Sequence, residues 1–261
     1  MPGKMKEIGK NPDKGQHFLV DKDVLRREVE ISELSNKDRV IEIGAGKGTL
    51  TRELVKKSKK VLGFEIDKRY GKELESLEKE YDNLKMIYSD ATGYSWEGFD
   101  KIVSNIPYYL GEKVIAKAVT DNIPFIVLIV GENFKDILIN KSSKSGILAN
   151  IFYKIEPIEK IDKNSFSPPP RVNSWMIKLT AKDEGKHADF IRNILKRKGK
   201  LKNAIISSFI REGNTKRKSK ELLKKLDLLN SALESPSSRI SGKMLAKLEE
   251  ELKKEEQSSN A

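Results

Sequence analysis

The chain has 261 residues, of which 37% are hydrophobic and 34% are charged, and its formal net charge is +12. The apolar content excludes a wholly disordered chain, and the lack of cysteine excludes disulfides, thiolate metal sites and a cysteine nucleophile. Two histidines are too few for a His-rich metal site, so we predict no metal. No apolar run approaches the ~20 residues of a membrane span, and no apolar stretch follows the basic N-terminus, so we expect a cytosolic protein. We also expect it to act as a monomer.

The first two thirds of the chain alternate short apolar runs with amphipathic segments. This alternation predicts βαβ units and a mostly parallel sheet, and runs without period-two polarity fit strands covered on both faces. The predicted strands are Arg39–Ile43, Lys60–Ile66, Leu84–Tyr88, Lys101–Ser104, Pro124–Val130, Ile151–Ile158 and Ser174–Leu179. The predicted helices among them are Thr49–Lys57, Arg69–Leu77 and Glu112–Val119.

After Thr180 the spacing of apolar residues is only helical. We therefore predict an α/β domain over residues 1–181 and a basic helical domain over residues 182–261. The segment from Lys182 to Lys225 holds fifteen Lys or Arg and five Asp or Glu. Such a concentration of charge is expected of a polyanion binder, although a solvated helical surface explains the charge alone equally well.

Three consecutive predicted strands end in groups that suit a nucleoside ligand. Gly44 and Gly46 lie in a GxGxG turn, where glycines let the backbone approach a ligand. Glu65 ends the next strand, from which a carboxylate can accept both hydroxyls of a ribose, and Asp90 ends the third, where it could take an adenine amino group. The spacing differs from the GxGxxG of pyrophosphate-binding folds. It favours a nucleoside such as S-adenosylmethionine over a nicotinamide dinucleotide.

The fourth predicted strand ends in Asn105-Ile106-Pro107-Tyr108, which could be a simple turn. A functional interpretation explains all four residues together. The Asn105 side-chain oxygen and the Ile106 carbonyl could accept both protons of an adenine amine and free its lone pair, with Pro107 fixing the backbone. Tyr108 offers a ring on which a flipped base could stack. These four residues are our predicted catalytic motif.

Taken together, these motifs resemble those of the KsgA-type small-subunit ribosomal RNA adenine dimethyltransferases, relatives of the Erm enzymes. The resemblance rests on Gln16–Asp21 (QHFLVD), Glu42–Thr51, Phe64–Asp67, Ser89–Ala91, Ser104–Tyr108, Phe166–Ser174 and the helical segment Lys196–Ala204. It implies a Rossmann-like class I methyltransferase fold with a seven-stranded sheet. It also implies S-adenosylmethionine as methyl donor, and two adjacent adenosines near the 3′ end of small-subunit rRNA as substrate, in ribosome biogenesis.

The resemblance also assigns roles to individual residues. Phe166 would lie on the other side of the target base from Tyr108, although an apolar anchor for its loop is an equally good explanation. RNA contacts are predicted at Arg197, Lys198, Lys200 and Lys202. The predicted cofactor-binding residues are Gln16, His17, Leu19, Gly44, Gly46, Glu65, Ile66, Asp90, Ala91 and Asn105.

One segment departs from the family pattern. Gly131–Leu138 replaces a Gln-Lys-Glu sequence that usually follows the strand ending at Val130. This difference leaves an alternative open: a divergent paralogue that methylates another adenine, or that acts mainly as an RNA-binding assembly factor of the ribosome.

Overall fold

The computed structural model describes residues 16–182 and 186–259. These residues form two compact units that interleave along the chain. The first unit, U1, comprises residues 16–111, Phe125–Lys135 and Pro157–Lys178. The second, U2, comprises Glu112–Pro124, Asp136–Glu156 and the described residues from Leu179 onward. The division into residues 1–181 and 182–261 stays a prediction about separable domains.

Within the described residues, nine strands form two sheets. The strands are β1 (Phe18–Leu19), β2 (Arg39–Ile43), β3 (Lys60–Phe64), β4 (Leu84–Ile87), β5 (Lys101–Asn105), β6 (Phe125–Gly131), β7 (Tyr153–Ile161), β8 (Phe166–Ser167) and β9 (Ser174–Ala181). The large sheet has the order β4-β3-β2-β5-β6-β9-β7, and its strands β2 to β6 pair in parallel. The small sheet is the antiparallel pair β1–β8. The predicted α/β architecture with a mostly parallel seven-stranded sheet is confirmed.

Eleven α-helices connect and follow these strands in the described part of the chain. They are α1 (Lys22–Ile31), α2 (Thr49–Lys57), α3 (Gly71–Glu80), α4 (Gly111–Asp121), α5 (Glu132–Asn140), α6 (Lys144–Phe152), α7 (Lys186–Lys196), α8 (Leu201–Arg211), α9 (Lys216–Lys225), α10 (Asn230–Glu234) and α11 (Gly242–Ser259). None of the helices in this part of the chain has the length and apolar character that crossing a bilayer requires.

A hydrophobic cluster of U1 joins the parallel strands to helix α2. Val40 on β2, Val61 on β3 and Val103 on β5 are fully buried, and Leu54 on α2 is buried in the same cluster. These strands lack exposed side chains over most of their length, as expected where helices cover both faces of a sheet.

The β2 and β5 strands separate at their carboxyl ends. Their backbone pairing runs only through Val40↔Lys101 and Ile41↔Ile102. Beyond it, the Ser104 hydroxyl donates to the Ile43 carbonyl at 2.7 Å and accepts from the Ile43 N–H at 2.6 Å. Because chain connections leave β2 and β5 in opposite directions, this edge is a topological switch point, where open α/β sheets bind ligands.

One predicted strand is wrong over its first two residues. Residues 151 and 152 end helix α6, and β7 begins at Tyr153. The helix begins at Ser143, whose hydroxyl accepts the Gly146 N–H, and it buries Leu148 and Phe152. A cap of this kind outweighs the weak strand preference of a short apolar run.

U2 contains the basic helices of the tail, packed around an aromatic pair. The rings of Phe190 on α7 and Phe209 on α8 lie 4.7 Å apart in an edge-on arrangement. The buried Arg192 donates to the Val119 carbonyl at 2.9 Å and lies over the Phe152 ring. The apolar sides of these helices thus pack together, and most of their basic residues other than Arg192 lie at the surface.

Candidate active site

The glycine loop between β2 and α2 has a left-handed backbone at Gly44, Gly46 and Gly48. A Cβ on Gly46 would lie 2.9 Å from the Phe18 ring, and one on Gly44 would lie 3.6 Å from Pro107 Cδ. The positive φ angles favour glycine at both positions, and at Gly46 the Phe18 ring would also have to shift to admit a Cβ. The loop therefore brings together the N-terminal motif, Gln16–Asp21, and the Asn105–Tyr108 motif.

Glu65 joins this loop to the end of β3. Its side chain is buried, and its two carboxylate oxygens accept the backbone N–H groups of Gly46 at 2.7 Å and Asp67 at 2.8 Å. A carboxylate oxygen has a further lone pair beyond each of these bonds. The side chain of the next residue, Ile66, is 51% exposed, although it is large and apolar.

The N-terminal motif crosses the same edge of the sheet. The Gln16 side chain donates to Asp67 at 3.2 Å and accepts the Tyr70 hydroxyl at 3.3 Å. His17 Nδ1 lies 2.8 Å from the Pro168 carbonyl oxygen. Leu19 is buried and pairs with Phe166 across the small sheet.

Asp90 and Ala91 follow β4 in a short turn. The Asp90 carboxylate accepts the backbone N–H of Thr92 at 2.9 Å and its hydroxyl at 2.8 Å. Ala91 is buried, and its carbonyl accepts the indole N–H of Trp96 at 3.1 Å. Asp90 itself stays exposed.

The side-chain amide of Asn105, at the end of β5, has a hydrogen-bond partner among the described residues at its nitrogen but not at its oxygen. Its Nδ2 donates to Glu28 Oε2 on α1 at 3.2 Å. Its Oδ1 is buried and has no hydrogen-bond partner among the described residues. Such an unpaired acceptor is costly, and it is rare in folded proteins unless a ligand supplies the donor.

The other described side chains of this motif are buried or half-buried. Ile106 is buried and Pro107 is half-buried. The Tyr108 side chain lies outside the described part of the structure. Phe166 is 5% exposed and belongs to the apolar core of U1. This burial agrees with an apolar anchor, and a position against the target base stays a prediction.

Two buried carboxyls on neighbouring elements give the site an acidic character. Burial raises the pKa of Glu28 on α1 to about 8, and the charge of Glu42 adds to this rise. Burial likewise raises the pKa of Glu42 on β2 to about 8, with a further rise from the charge of Glu65. Glu42 Oε2 and Glu28 Oε1 have no hydrogen-bond partner in the described ranges. A cationic ligand that carries N–H donors would favour the ionised form of these carboxyls and lower their pKa.

The predicted RNA contacts lie in U2, apart in the sequence from these groups. Arg197, Lys198 and Lys200 are exposed. Lys200 and Lys202 both form ion pairs and donate hydrogen bonds to Glu234, and these bonds lower the pKa of the Glu234 carboxyl to about 2. Among the residues that the structure describes, no group of three or more side chains could hold a metal ion.

The structure therefore brings the predicted cofactor residues of U1 to one edge of the sheet. It also reveals Glu28, which sequence reasoning missed. A signal was present, because Glu28 follows Val24 by four residues and so continues the apolar face of α1. Helix α1 is not among the predicted helices, because the charged Glu28 interrupts the apolar pattern of that face.

Comparison with known proteins gives one family. The family described as "Ribosomal RNA adenine dimethylase" matches residues 8–244. A protein of Methanococcus maripaludis named "Probable ribosomal RNA small subunit methyltransferase A" is 32% identical over 228 residues, which are 82% of this chain and 87% of that protein. A protein of Thermococcus gammatolerans with the same name is 33% identical over 81% of this chain and 80% of its own length.

Solved structures agree in fold. A dimethyladenosine transferase from Plasmodium falciparum has a TM-score of 0.62 and 24% identity, over 91% of this chain and 98% of the other. The 23S rRNA methyltransferase ErmE has a TM-score of 0.60 and 22% identity, over 90% and 99%. At this identity the likeness concerns the fold alone.

Proposed function

The chain belongs to the ribosomal RNA adenine dimethylase family, and we propose that it dimethylates the N6 amines of two adjacent adenosines near the 3′ end of small-subunit rRNA. Membership makes the chain an rRNA adenine methyltransferase that uses S-adenosylmethionine. The observation that carries the finer proposal is the buried, unpartnered Oδ1 of Asn105. Action as a cytosolic monomer is part of the same proposal.

The edge of U1 fits the methyl donor. Glu42 Oε2 is a buried acceptor without a partner in the described ranges, and Glu65 lies where a ribose hydroxyl could donate. When bound there, S-adenosylmethionine supplies an electrophilic methyl group carried on a sulfonium. The exposed Ile66 would cover one face of its adenine, and Asp90 would accept from the adenine amine.

The residues of the β5 end would prepare the target amine. Asn105 Oδ1 and the Ile106 carbonyl would accept its two protons, so that the nitrogen lone pair leaves the conjugation of the ring. Pro107 would hold the backbone between these two acceptors. No base of shifted pKa is needed, since the proton becomes acidic once the nitrogen is alkylated. Positioning of the amine would then supply most of the rate.

RNA would be held by the basic helices of U2. Arg197 and Lys198 are exposed, whereas Lys200 and Lys202 are paired with Glu234, whose charge weakens their attraction for phosphate. On α9, within the described residues, Lys216, Lys218, Lys220 and Lys224 have no acidic partner in ion-pair distance. We therefore include α9 in the phosphate-binding surface, because it can release counterions without breaking an ion pair.

Methyl transfer to undermethylated small subunits tests the proposal directly. The protein is incubated with labelled S-adenosylmethionine and either small subunits or naked rRNA, and the label is mapped by nuclease digestion and mass spectrometry. We expect dimethyladenosine at two adjacent positions near the 3′ end. Label at another adenosine would assign a different substrate, and RNA binding without any label would favour the assembly-factor alternative.

A further inference from the structure

Glu28 occupies an unusual place for a carboxyl group. It lies on the face of α1 that also buries Val24 and Val29, and none of its surface is exposed. Glutamate is almost never fully buried unless it is paired. Here no Lys or Arg of the described chain pairs with Glu28, and the charge that acts on it most is that of Glu42, which has the same sign.

The contacts of Glu28 do not compensate for the free-energy cost of burying its carboxyl group. Its single hydrogen bond among the described residues comes from Asn105 Nδ2 at 3.2 Å, and its Oε1 has none. A buried carboxyl without a cation costs more than one hydrogen bond returns. A residue whose burial costs more free energy than its contacts return is expected where function requires it.

We propose that Glu28 is a positioning residue, whose carboxyl holds the Asn105 amide in the orientation that presents Oδ1, and not Nδ2, to the amine of the target adenine. This inference rests on the proposed function of Asn105. Glu28 Oε2 accepts the hydrogen bond of Nδ2, and a proton on the carboxyl would lie on Oε1, which has no partner among the described residues. Oε2 therefore stays an acceptor in either protonation state, and the amide group that faces it is Nδ2. The oxygen is thereby left for the substrate.

Orientation matters because the two ends of an amide are nearly equal in size and opposite in polarity. If the amide turned over, two N–H donors would face the N–H donors of the amine and no acceptor would remain there. Without a partner such as Glu28, nothing in the Asn105 contacts of the described residues selects between the two states. The loss would affect the methyl-transfer step and leave cofactor binding unchanged.

The test compares two substitutions with a control on the same helix. Glu28→Leu removes the acceptor, whereas Glu28→Gln keeps an oxygen that can accept from Asn105 Nδ2. The exposed Glu30 of α1 supplies the control, Glu30→Leu. Single-turnover methyl transfer is measured with saturating S-adenosylmethionine and small subunits, and the Kd for S-adenosylmethionine is measured by calorimetry.

We expect Glu28→Leu to lower the single-turnover rate roughly 10-fold to 100-fold, with the Kd for S-adenosylmethionine within about twofold of the parent. Glu28→Gln should recover most of that loss, and Glu30→Leu should match the parent. A folded Glu28→Leu protein with the parent rate, or a Glu28→Gln protein as slow as Glu28→Leu, would overturn the inference.

A second measurement needs neither folding of the Leu variant nor catalysis. The side-chain NH2 resonances of Asn105 are assigned by their absence in Asn105→Ala, and they are then followed in the parent and in Glu28→Gln. A contact with Glu28 requires these resonances to move in the Gln variant, and unmoved resonances would overturn it. If the parent protein methylates no rRNA at all, the proposed function fails while this contact is still tested separately.

Discussion

The edge of U1 around Asn105 is buried and acidic, whereas helix α9 of U2 is exposed and basic. Glu28, Glu42 and Glu65 are all at most 5% exposed. By contrast, α9 carries six Lys or Arg and one Glu, and nearly all of them face solvent. The carboxyl groups of the first region are held at fixed positions by burial and hydrogen bonds, and the charges of the second are carried on long side chains in water.

Because of this difference, we expect the edge of U1 to determine the specificity of the reaction and α9 to contribute affinity for RNA. A buried acceptor with no partner recognises one donor at one place, so its removal should affect one step strongly. Exposed lysines contact phosphates of any sequence, so each contributes a small, salt-dependent share of binding. Variants in U1 should therefore alter rate or cofactor affinity, and variants in U2 should alter the salt dependence of RNA binding.

The largest expected effect follows from Asn105→Ala. Loss of the amide oxygen should lower the rate of methyl transfer roughly 10²-fold to 10³-fold, as for removal of one oriented hydrogen-bonding group from an active site. Single-turnover assays, cofactor calorimetry and RNA binding are measured on the same preparation. If cofactor affinity collapses while the rate at saturation survives, then Asn105 binds the cofactor and does not act on the amine.

Glu65→Ala should have the next largest effect, on the cofactor. The variant removes a buried acceptor, so we expect S-adenosylmethionine binding to weaken by roughly 1–3 kcal/mol. It also leaves the N–H groups of Gly46 and Asp67 without their acceptor. Glu65→Gln is the matched control, because it keeps one acceptor oxygen. An unchanged cofactor titration in the alanine variant would refute the ribose role.

Much of the U1 site can be predicted from sequence because its groups follow strands. Gly44, Glu65 and Asn105 each come directly after or at the end of a parallel strand, and the topology of such a sheet collects these ends at one edge. Their spacing in the sequence therefore fixes their neighbourhood in space.

Two kinds of information were not available from the sequence. The first is contact between distant segments, as in the Glu28–Asn105 hydrogen bond, which joins residues 77 positions apart. The second is pairing on the surface: Lys200 and Lys202 read as unpaired basic residues until the fold brings Glu234 beside them. Local periodicity reports burial but does not report which polar partners meet.

The pH dependence of stability sharpens the description of the acidic region. Glu28 has a pKa near 8 in the folded protein, well above its ordinary value. The folded state therefore favours the protonated carboxyl, and stability is lost as pH rises from about 4.5 through about 8. Glu28→Gln does not titrate, so its Tm relative to the parent should rise across this window. Equal pH profiles of Tm would show that Glu28 is not buried as described.

Variants in the basic helix α9 should change the salt dependence of RNA binding and leave the rate of methyl transfer unchanged. Neutralising Lys216, Lys218, Lys220 and Lys224 to Gln should reduce the slope of log K against log salt by about 0.7–0.9 for each lost phosphate contact. Methyl transfer at saturating RNA should stay at the parent rate, because α9 contains none of the site residues of U1. A salt slope untouched by this change would move the RNA surface elsewhere, with Arg197 and Lys198 the next residues to neutralise.

The smallest expected effect is that of Glu234→Gln on RNA binding, which compares paired with unpaired lysines within U2. Glu234 holds Lys200 and Lys202, and both pairs are largely exposed, so each is worth at most about 1 kcal/mol. Glu234→Gln should release both lysines and tighten RNA binding by less than about tenfold, with a steeper salt slope. The neighbouring pair offers a control, since Glu221→Gln removes the partner of Arg217 on α9. If Glu234→Gln changes neither affinity nor slope while Glu221→Gln changes both, then α9 contacts RNA and the segment around Lys200 does not.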